Sequence, residues 1–476
     1  MNEPSVIVVP TRVPITWDVP KEPATPRHLS AIAVAGVVGA IALPTNASGI
    51  GYVIVAVACA GSTWWMMRRI KLESALWAVL ALALVSVTAF RDSSWLATLC
   101  LVGACGAASI AVAGGRSVAG LAIGALAVPI GFVLSLPWVT RGLAALRRQS
   151  ANRRAARILL ALALSVLLLL VFVPLLAGAD AAFAEILSGL TPQVDPGSVV
   201  RWIGLFVLVG FGAAAAGLVA ASPPEVDAFT RKRKQLSRVE WAMPVGILAL
   251  LFTGFALVQF AALFGGAEYV QRTANLSYAT YARSGFWQLL AVTLLTLGVV
   301  TAAARWARRE TRADRVWLRA LLGALCALML VVVASALTRM WAYQKAYGFT
   351  VERVVVEACE LWLGLVYLLI IAAGVRLGAG WLPRAVVGSG LAGLLVFAWL
   401  DPERIIAGHN VERYRQTGKI DVEYLSTLSY DAWPELATLD PSMRPCVTAA
   451  GRDRDWRNWN LSRSRQEPTQ QRCRSL

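Results

Sequence analysis

Long apolar runs separated by short polar connections recur along almost the whole chain. About eighteen such residues in a helix cross a hydrocarbon core roughly 30 Å thick. Backbone groups must be paired inside lipid, so each run belongs to a helix or to a closed barrel. The runs do not alternate apolar and polar residues as barrel strands do, which leaves helices. The pattern predicts twelve of them, over residues 29–43, 50–67, 72–90, 95–113, 118–139, 158–177, 199–221, 243–264, 286–306, 317–340, 354–375 and 382–400. The first is short for a full crossing, and with PTNASG at 44–49 it suits a tight hairpin.

The two ends of the chain break this pattern. Residues 1–28 contain six prolines and balanced charge, which predicts a disordered tail. Residues 401–476 are polar and read as short helices. Asp401 is placed to cap, Pro402 suits a first turn, Glu403 complements the dipole, and Gly418 is a natural stop. Asp421 is placed to cap a second helix through Leu428. Residues 453–465 (DRDWRNWNLSRSR) read as a last amphipathic helix whose Trp456 and Trp459 pack on the tail's own core. The fold class is therefore all-α: a polytopic membrane protein of about twelve transmembrane helices with a small helical C-terminal tail domain. Its divisions fall at 1–28, 29–240, 241–400 and 401–476.

Composition agrees, with 57% hydrophobic and 15% charged residues and a mean hydropathy of +0.61, against about 25% charged in soluble domains. The net charge of +17 does not point to nucleic acid, because the arginines sit in short loops and no nucleic-acid motif accompanies them. That distribution instead fixes topology and attracts anionic headgroups of a lipid bilayer. Three connections are strongly basic, 141–157, 231–238 (RKRKQLSR) and 305–319, and twelve crossings place all three on the cytoplasmic side of a plasma (inner) membrane. Both termini then lie outside, together with 265–285, 341–353 and the tail after 400. Arg68, Arg69 and Lys71 fall on the wrong side in that count, a conflict that disappears if one segment between 72 and 139 fails to cross.

Cys59, Cys100, Cys105, Cys326 and Cys359 lie inside apolar runs and read as small buried hydrophobes. Cys446 and Cys473, in the polar tail, are a candidate disulfide if that tail meets an oxidising compartment. CxxC spacing is absent and there are two histidines, His28 and His409, so neither a metal site nor a cofactor is expected.

The most informative stretch is 339–362, RMWAYQKAYGFTVERVVVEACELW, where two apolar runs turn back on each other. Arg353, Glu357 and Glu360 are spaced i, i+4, i+7 and share a helix face. Glu360 lies about 10 Å further in than Arg353. A charge at such depth costs roughly 2.5–3.5 kcal/mol, so it should face the bundle and pair with Arg339 or Arg353. Two readings fit: a polar cavity lined by Arg339, Tyr343, Arg353, Glu357 and Glu360, or an ion-paired hairpin with an interfacial belt of Trp341, Tyr343 and Tyr347. Gln259 and Gln288 suit an interhelical amide hydrogen bond. Tyr278, Tyr281 and Arg283 precede a helix start and fit either an anion site or a headgroup anchor. Gly120 with Gly124, and Gly374 with Gly378, have the spacing of close helix packing. His409 falls on a face of the 401–417 helix.

Three pieces carry a resemblance: 278–290 (YATYARSGFWQLL), 339–350 (RMWAYQKAYGFT) followed by Arg353, and the tail pieces 409–418 (HNVERYRQTG) and 455–463 (DWRNWNLSR). Together these resemble the bacterial membrane family filed as domain of unknown function 4173, over the part of the chain from about Trp241 onward. The resemblance implies an integral membrane protein and no particular activity. Glu357 and Glu360 stand where that pattern leads one to expect apolar residues.

Three functions remain in play. One is a transport or ligand-sensing component that gates or reads a small solute, ion or lipid at an outer polar cluster. Another is a structural subunit that binds an envelope protein through 401–476. The third, an enzyme acting on an envelope substrate, lacks HExxH, GxSxG or an acidic metal cluster.

Overall fold

The computed structural model describes residues 22–43, 47–67, 71–149, 196–227, 236–274, 286–376, 379–440 and 455–465, with isolated positions at 17, 20, 165, 168, 172, 176 and 443. Among these residues every named element is helical, and the one β contact is an isolated bridge between Leu236 and Ala307. Eleven long helices run in chain order among the described residues. They are α1 (Pro26–Ala42), α2 (Ile50–Met66), α3 (Leu72–Phe90), α4 (Ser94–Ala113), α5 (Val118–Gln149) and α6 (Pro196–Ala221). The second half adds α7 (Arg238–Ala274), α8 (Phe286–Trp306), α9 (Arg312–Tyr347), α10 (Val351–Arg376) and α11 (Leu382–Trp399). Nine of them, α3 to α11, are long and apolar enough to cross a membrane, whereas α1 and α2 are shorter apolar helices.

Local chemistry sets the boundaries. Thr25 and His28 form a capping box, so α1 starts at Pro26, inside the stretch the prolines marked as a tail. Thr311 and Asp314 form another at the head of α9, where Asp314 also receives Arg238. One core packs α7, α8, α9 and α10 around Leu325, Met329 and Tyr367, and a second packs α3 and α4 against α2 and α11.

The tail begins with α12 (Pro402–Thr417), capped by Asp401 and stopped by Gly418 at φ 70°, as the sequence predicts. Short helices follow: α13 (Val422–Ser426), α14 (Trp433–Leu436) and α15 (Leu461–Ser464). Ile406, Val411, Leu425, Leu428 and Leu436 form a cluster that closes over Phe349, from the turn between α9 and α10.

Contacts sort the helix ends into two sets. At the tail end, Thr88 bonds Gly49, the amide of Ile50 bonds Trp459, and the 91–93 turn bonds Asp401, Glu403 and Asp431. At the opposite end, Arg384 pairs with Glu73 and bonds Gly115, Asp227 receives Arg116 and Ser117, and Leu236 bridges Ala307. The start of α1 lies at this opposite end, since Trp17 donates to Ser222 and Ala24 to Trp138. The beginning of α1 and the C-terminal tail are therefore at different ends, contrary to the expectation that both termini share a side. Lys71, just before the Glu73 that meets Arg384, also lies at the end opposite the tail, so it leaves the side that the twelve-crossing count gave it.

Other expectations need correction. Residues 453–465 do not form one helix: a 3-10 turn at Trp456–Asn458 precedes α15, and Trp456 and Trp459 are exposed rather than packed. Its Asn and Asp side chains bond the chain's own amides, which favours turns over helix. Cys105 and Cys359 are exposed on helix surfaces, Cys100 and Cys326 are buried. Gly124 does pack closely, since a Cβ there would sit 2.4 Å from the Gly114 carbonyl, but Gly374 faces open space. The predicted helix 158–177 (but for positions 165, 168, 172 and 176), most of the N-terminal tail, Tyr278, Tyr281, Arg283 and the Cys446–Cys473 pair lie outside the described residues.

Candidate functional site

The turn from α9 to α10 is built around Gly348. Its φ of 91° and ψ of 162° belong to a region that only glycine occupies readily, and they end α9 sharply after Tyr347. The tail then grips the turn. Asn410 of α12 accepts from the Phe349 amide at 3.0 Å and donates to the Phe349 carbonyl at 2.8 Å. His409 stacks on the Phe349 ring at 4.4 Å, Arg413 donates to the Ala346 carbonyl, and Tyr424 accepts from the Val351 amide at 2.8 Å. Two of the sequence pieces, 339–350 and 409–418, are thus the two halves of one latch.

Below the latch, α10 carries a stripe of polar groups on the face it turns to its neighbours. Arg353 lies over the Tyr343 ring at 4.4 Å and donates to the Gly348 carbonyl at 2.5 Å. One turn deeper, Glu357 accepts from Gln344 at 3.1 Å. Glu360 is fully buried, and neither carboxylate oxygen meets a partner. Two turns deeper again, the buried Tyr367 hydroxyl donates to the Thr293 carbonyl of α8 at 2.6 Å. Positions 353, 357, 360, 364 and 367 follow one seam, and Gly364 keeps it narrow against Val333. By helix rise, Tyr367 is about 21 Å inward of Arg353.

The structure thus brings together Tyr343, Arg353, Glu357 and Glu360 but does not make the ion pairs expected among them. The guanidinium of Arg353 bends outward to the turn, and Arg339 reaches across to α7, where the buried Gln259 accepts at 2.7 Å. That bond replaces the expected pairing of Gln259 with Gln288, whose side chain is exposed. Sequence reasoning missed Gln344 and Tyr367. The seam extended seven positions past Glu360 was the signal for Tyr367, while Gln344, on the facing helix, had none.

A second polar cluster ties the tail to α3 and α4. Asp431 accepts from the amides of Asp92 and Ser93, Glu403 from Ser93, Trp95 and Ser429, and Asp401 pairs with Arg91 at 2.5 Å. Arg463 pairs with Asp92 at 3.0 Å, and Asn460 donates to the carbonyls of Thr88 and Arg91. Asp401 has a φ of 60°, the one non-glycine residue among those described with positive φ. Burial and the neighbouring Asp431 charge raise its carboxyl to about 6 in spite of Arg91. Burial likewise raises Asp92, against the pull of Arg463.

Comparison with protein families matches residues 79–439 to the domain of unknown function DUF4153. The match replaces the resemblance to domain of unknown function 4173, and it begins in α3, far upstream of Trp241. It covers the polar stripe, the latch and most of the second cluster. Comparisons with curated proteins and with solved structures find no match. With three quarters of its length matched and the nine membrane-length helices among its described residues all reached by that match, this chain belongs to the DUF4153 family.

Proposed function

We propose that the protein is a non-enzymatic transport or ligand-sensing component of a bacterial plasma membrane, with the α10 stripe as its working element. The observation that carries this reading is Glu360, fully buried and without a partner for either oxygen. A bare charge at that depth costs roughly 2.5–3.5 kcal/mol. Glu360 therefore holds a proton or takes up a cation that reaches it along the stripe, and either event couples its state to what enters from the tail end. Ionisable groups inside membrane bundles mark such pathways as a rule.

The reading also sets an orientation. Connections at the tail end, 43–49, 91–93, 275–285 and 348–350, hold two cations, Arg91 and Arg283. Those at the other end hold Arg68, Arg69, Lys71, Arg116, Arg231, Lys232, Arg233, Lys234, Arg308 and Arg309. The positive-inside bias then puts the basic end in the cytoplasm and the tail outside. Opposite ends for α1 and the tail call for an odd number of crossings, eleven in place of twelve. A structural role is favoured by one specific observation, the exposure of Trp456 and Trp459 on the outer surface of the tail, where an envelope protein has aromatic anchors to grip.

The test uses proteoliposomes loaded with a pH-sensitive dye and energised by a potassium diffusion potential. Wild-type protein should admit protons, and Glu360→Gln, isosteric but unable to ionise, should abolish the uptake at unchanged membrane abundance. Uptake that survives Glu360→Gln sinks the reading. So does an equal loss of abundance, which assigns Glu360 to folding.

A further inference from the structure

Where α3 and α11 end and the tail begins, a cleft of about 710 Å³ opens beside the second polar cluster. One wall is apolar: Phe90 and Trp399, 5.3 Å apart, continue into Leu400 and Ile405. Trp399 and Leu400 are more than half exposed at the very end of a membrane-length helix, so this wall faces the level where hydrocarbon meets water. The other wall is charged, and its hydrogen bonding is lopsided. Asp431 has both oxygens on backbone amides, and Asp401 has one on Arg91 and one on the Arg404 amide. Arg91 uses its guanidinium on Asp401 and the carbonyls of Ala398 and Trp399.

What remains uncommitted is almost all donor. Arg404 engages Glu435 through Nε alone, which leaves both terminal nitrogens. The Arg465 guanidinium and the Ser462 hydroxyl, which also line the cleft, have no hydrogen bond among the described residues. Against them stands one carboxylate oxygen, Oε2 of Glu435, while the His409 ring and the Tyr430 hydroxyl, which can donate or accept, complete the polar lining. Two guanidinium groups and a hydroxyl beside an aromatic and aliphatic wall match a phosphoryl anion joined to an apolar chain. From this we infer that the cleft binds the phosphate headgroup of an anionic phospholipid from the surrounding leaflet, with its acyl chains against Trp399 and Leu400. The site is separate from the α10 stripe and does not depend on Glu360.

The full chain in phosphatidylcholine nanodiscs carrying a minor fraction of photoactivatable phosphatidylglycerol tests the assignment. Peptide mapping after illumination should find label on 399–408 and 461–465. Unlabelled phosphatidylglycerol should compete with it and inorganic phosphate should not. Arg404→Ala with Arg465→Ala should lower that label roughly ten-fold, the order expected of two arginines at a membrane surface. Label near Arg308 and Arg315 at the other end should be unchanged, and the double Lys variant should keep most of its label. Equal labelling of the wild type and the double Ala variant overturns the inference, and so does parallel loss at both ends. Competition by inorganic phosphate would assign the site to a soluble phosphoester instead. A thermal midpoint in the same nanodiscs guards against a misfolded variant, in which case the Lys pair alone decides: label lost with fold intact also overturns it.

Discussion

At the scale of single residues, Gly348 and Asn410 hold the most structure for their size. A Cβ on Gly348 would stand 2.8 Å from Oδ1 of Asn410, and its backbone conformation is itself costly for other residues, by about 1–3 kcal/mol. Gly348→Ala should therefore open the latch without disturbing the apolar cores. Limited proteolysis of purified protein reads this directly: cleavage near Gly418 should speed up several-fold while the helix content by circular dichroism stays constant. Asn410→Ala should produce the same pattern through two lost bonds to Phe349. Unchanged cleavage in both variants would show that the hydrophobic cluster around Ile406 holds the tail by itself. Neither residue stood out in the sequence. A glycine after an aromatic residue and an asparagine inside a helix are common, and they acquire meaning only once 61 positions of separation have been closed.

At the scale of elements, the helices were legible and their joints were not. Long apolar runs have one solution in lipid, and the predicted bounds of α3, α4, α8 and α11 fall within a residue of those found. The i, i+4, i+7 spacing correctly placed Arg353, Glu357 and Glu360 on one face. It did not give their partners, because spacing fixes a direction whereas a long arginine chain chooses its end point from what surrounds it. The tail's union with the 91–93 turn was equally hidden, being made between residues more than 300 positions apart. That union should respond to pH. The carboxyls of Asp401, at about 6, and Asp92 are raised in the folded chain, so the folded state holds protons there that an unfolded chain has released. Their contribution is complete below the ordinary carboxylate range and is lost as pH rises through the folded value. The tail's melting temperature should thus fall between about pH 4 and pH 6. Asp401→Asn, which keeps the cap on α12, should flatten most of this slope. A profile that is already flat in the wild type, or as steep in the variant, would place the sensitivity elsewhere.

For the whole molecule, the arrangement of ends is a stronger statement than any helix count. Among the described residues Lys71, Arg116, Arg308 and Arg309 lie in the connections opposite the tail, and the start of α1 lies at the same end. Twelve crossings would have put Arg68, Arg69 and Lys71 outside with the tail, against the charge bias that orients bacterial membrane proteins. The geometry of α1 and α2 removes that cost, because the pair runs to the tail end and back and delivers residue 67 to the basic end. Single cysteines at Glu22, Arg308 and Gln416, each exposed and each in a background without the natural cysteines, separate the possibilities. In intact cells a membrane-impermeant maleimide should label Gln416→Cys, whereas Glu22→Cys and Arg308→Cys should react after permeabilisation alone. Labelling of 22 together with 416 would restore an even number of crossings and place the start of α1 outside. Labelling of 308 with protection of 416 would invert the molecule, and the α10 stripe would then open to the cytoplasm, where a proton or cation at Glu360 would be drawn from the cell interior.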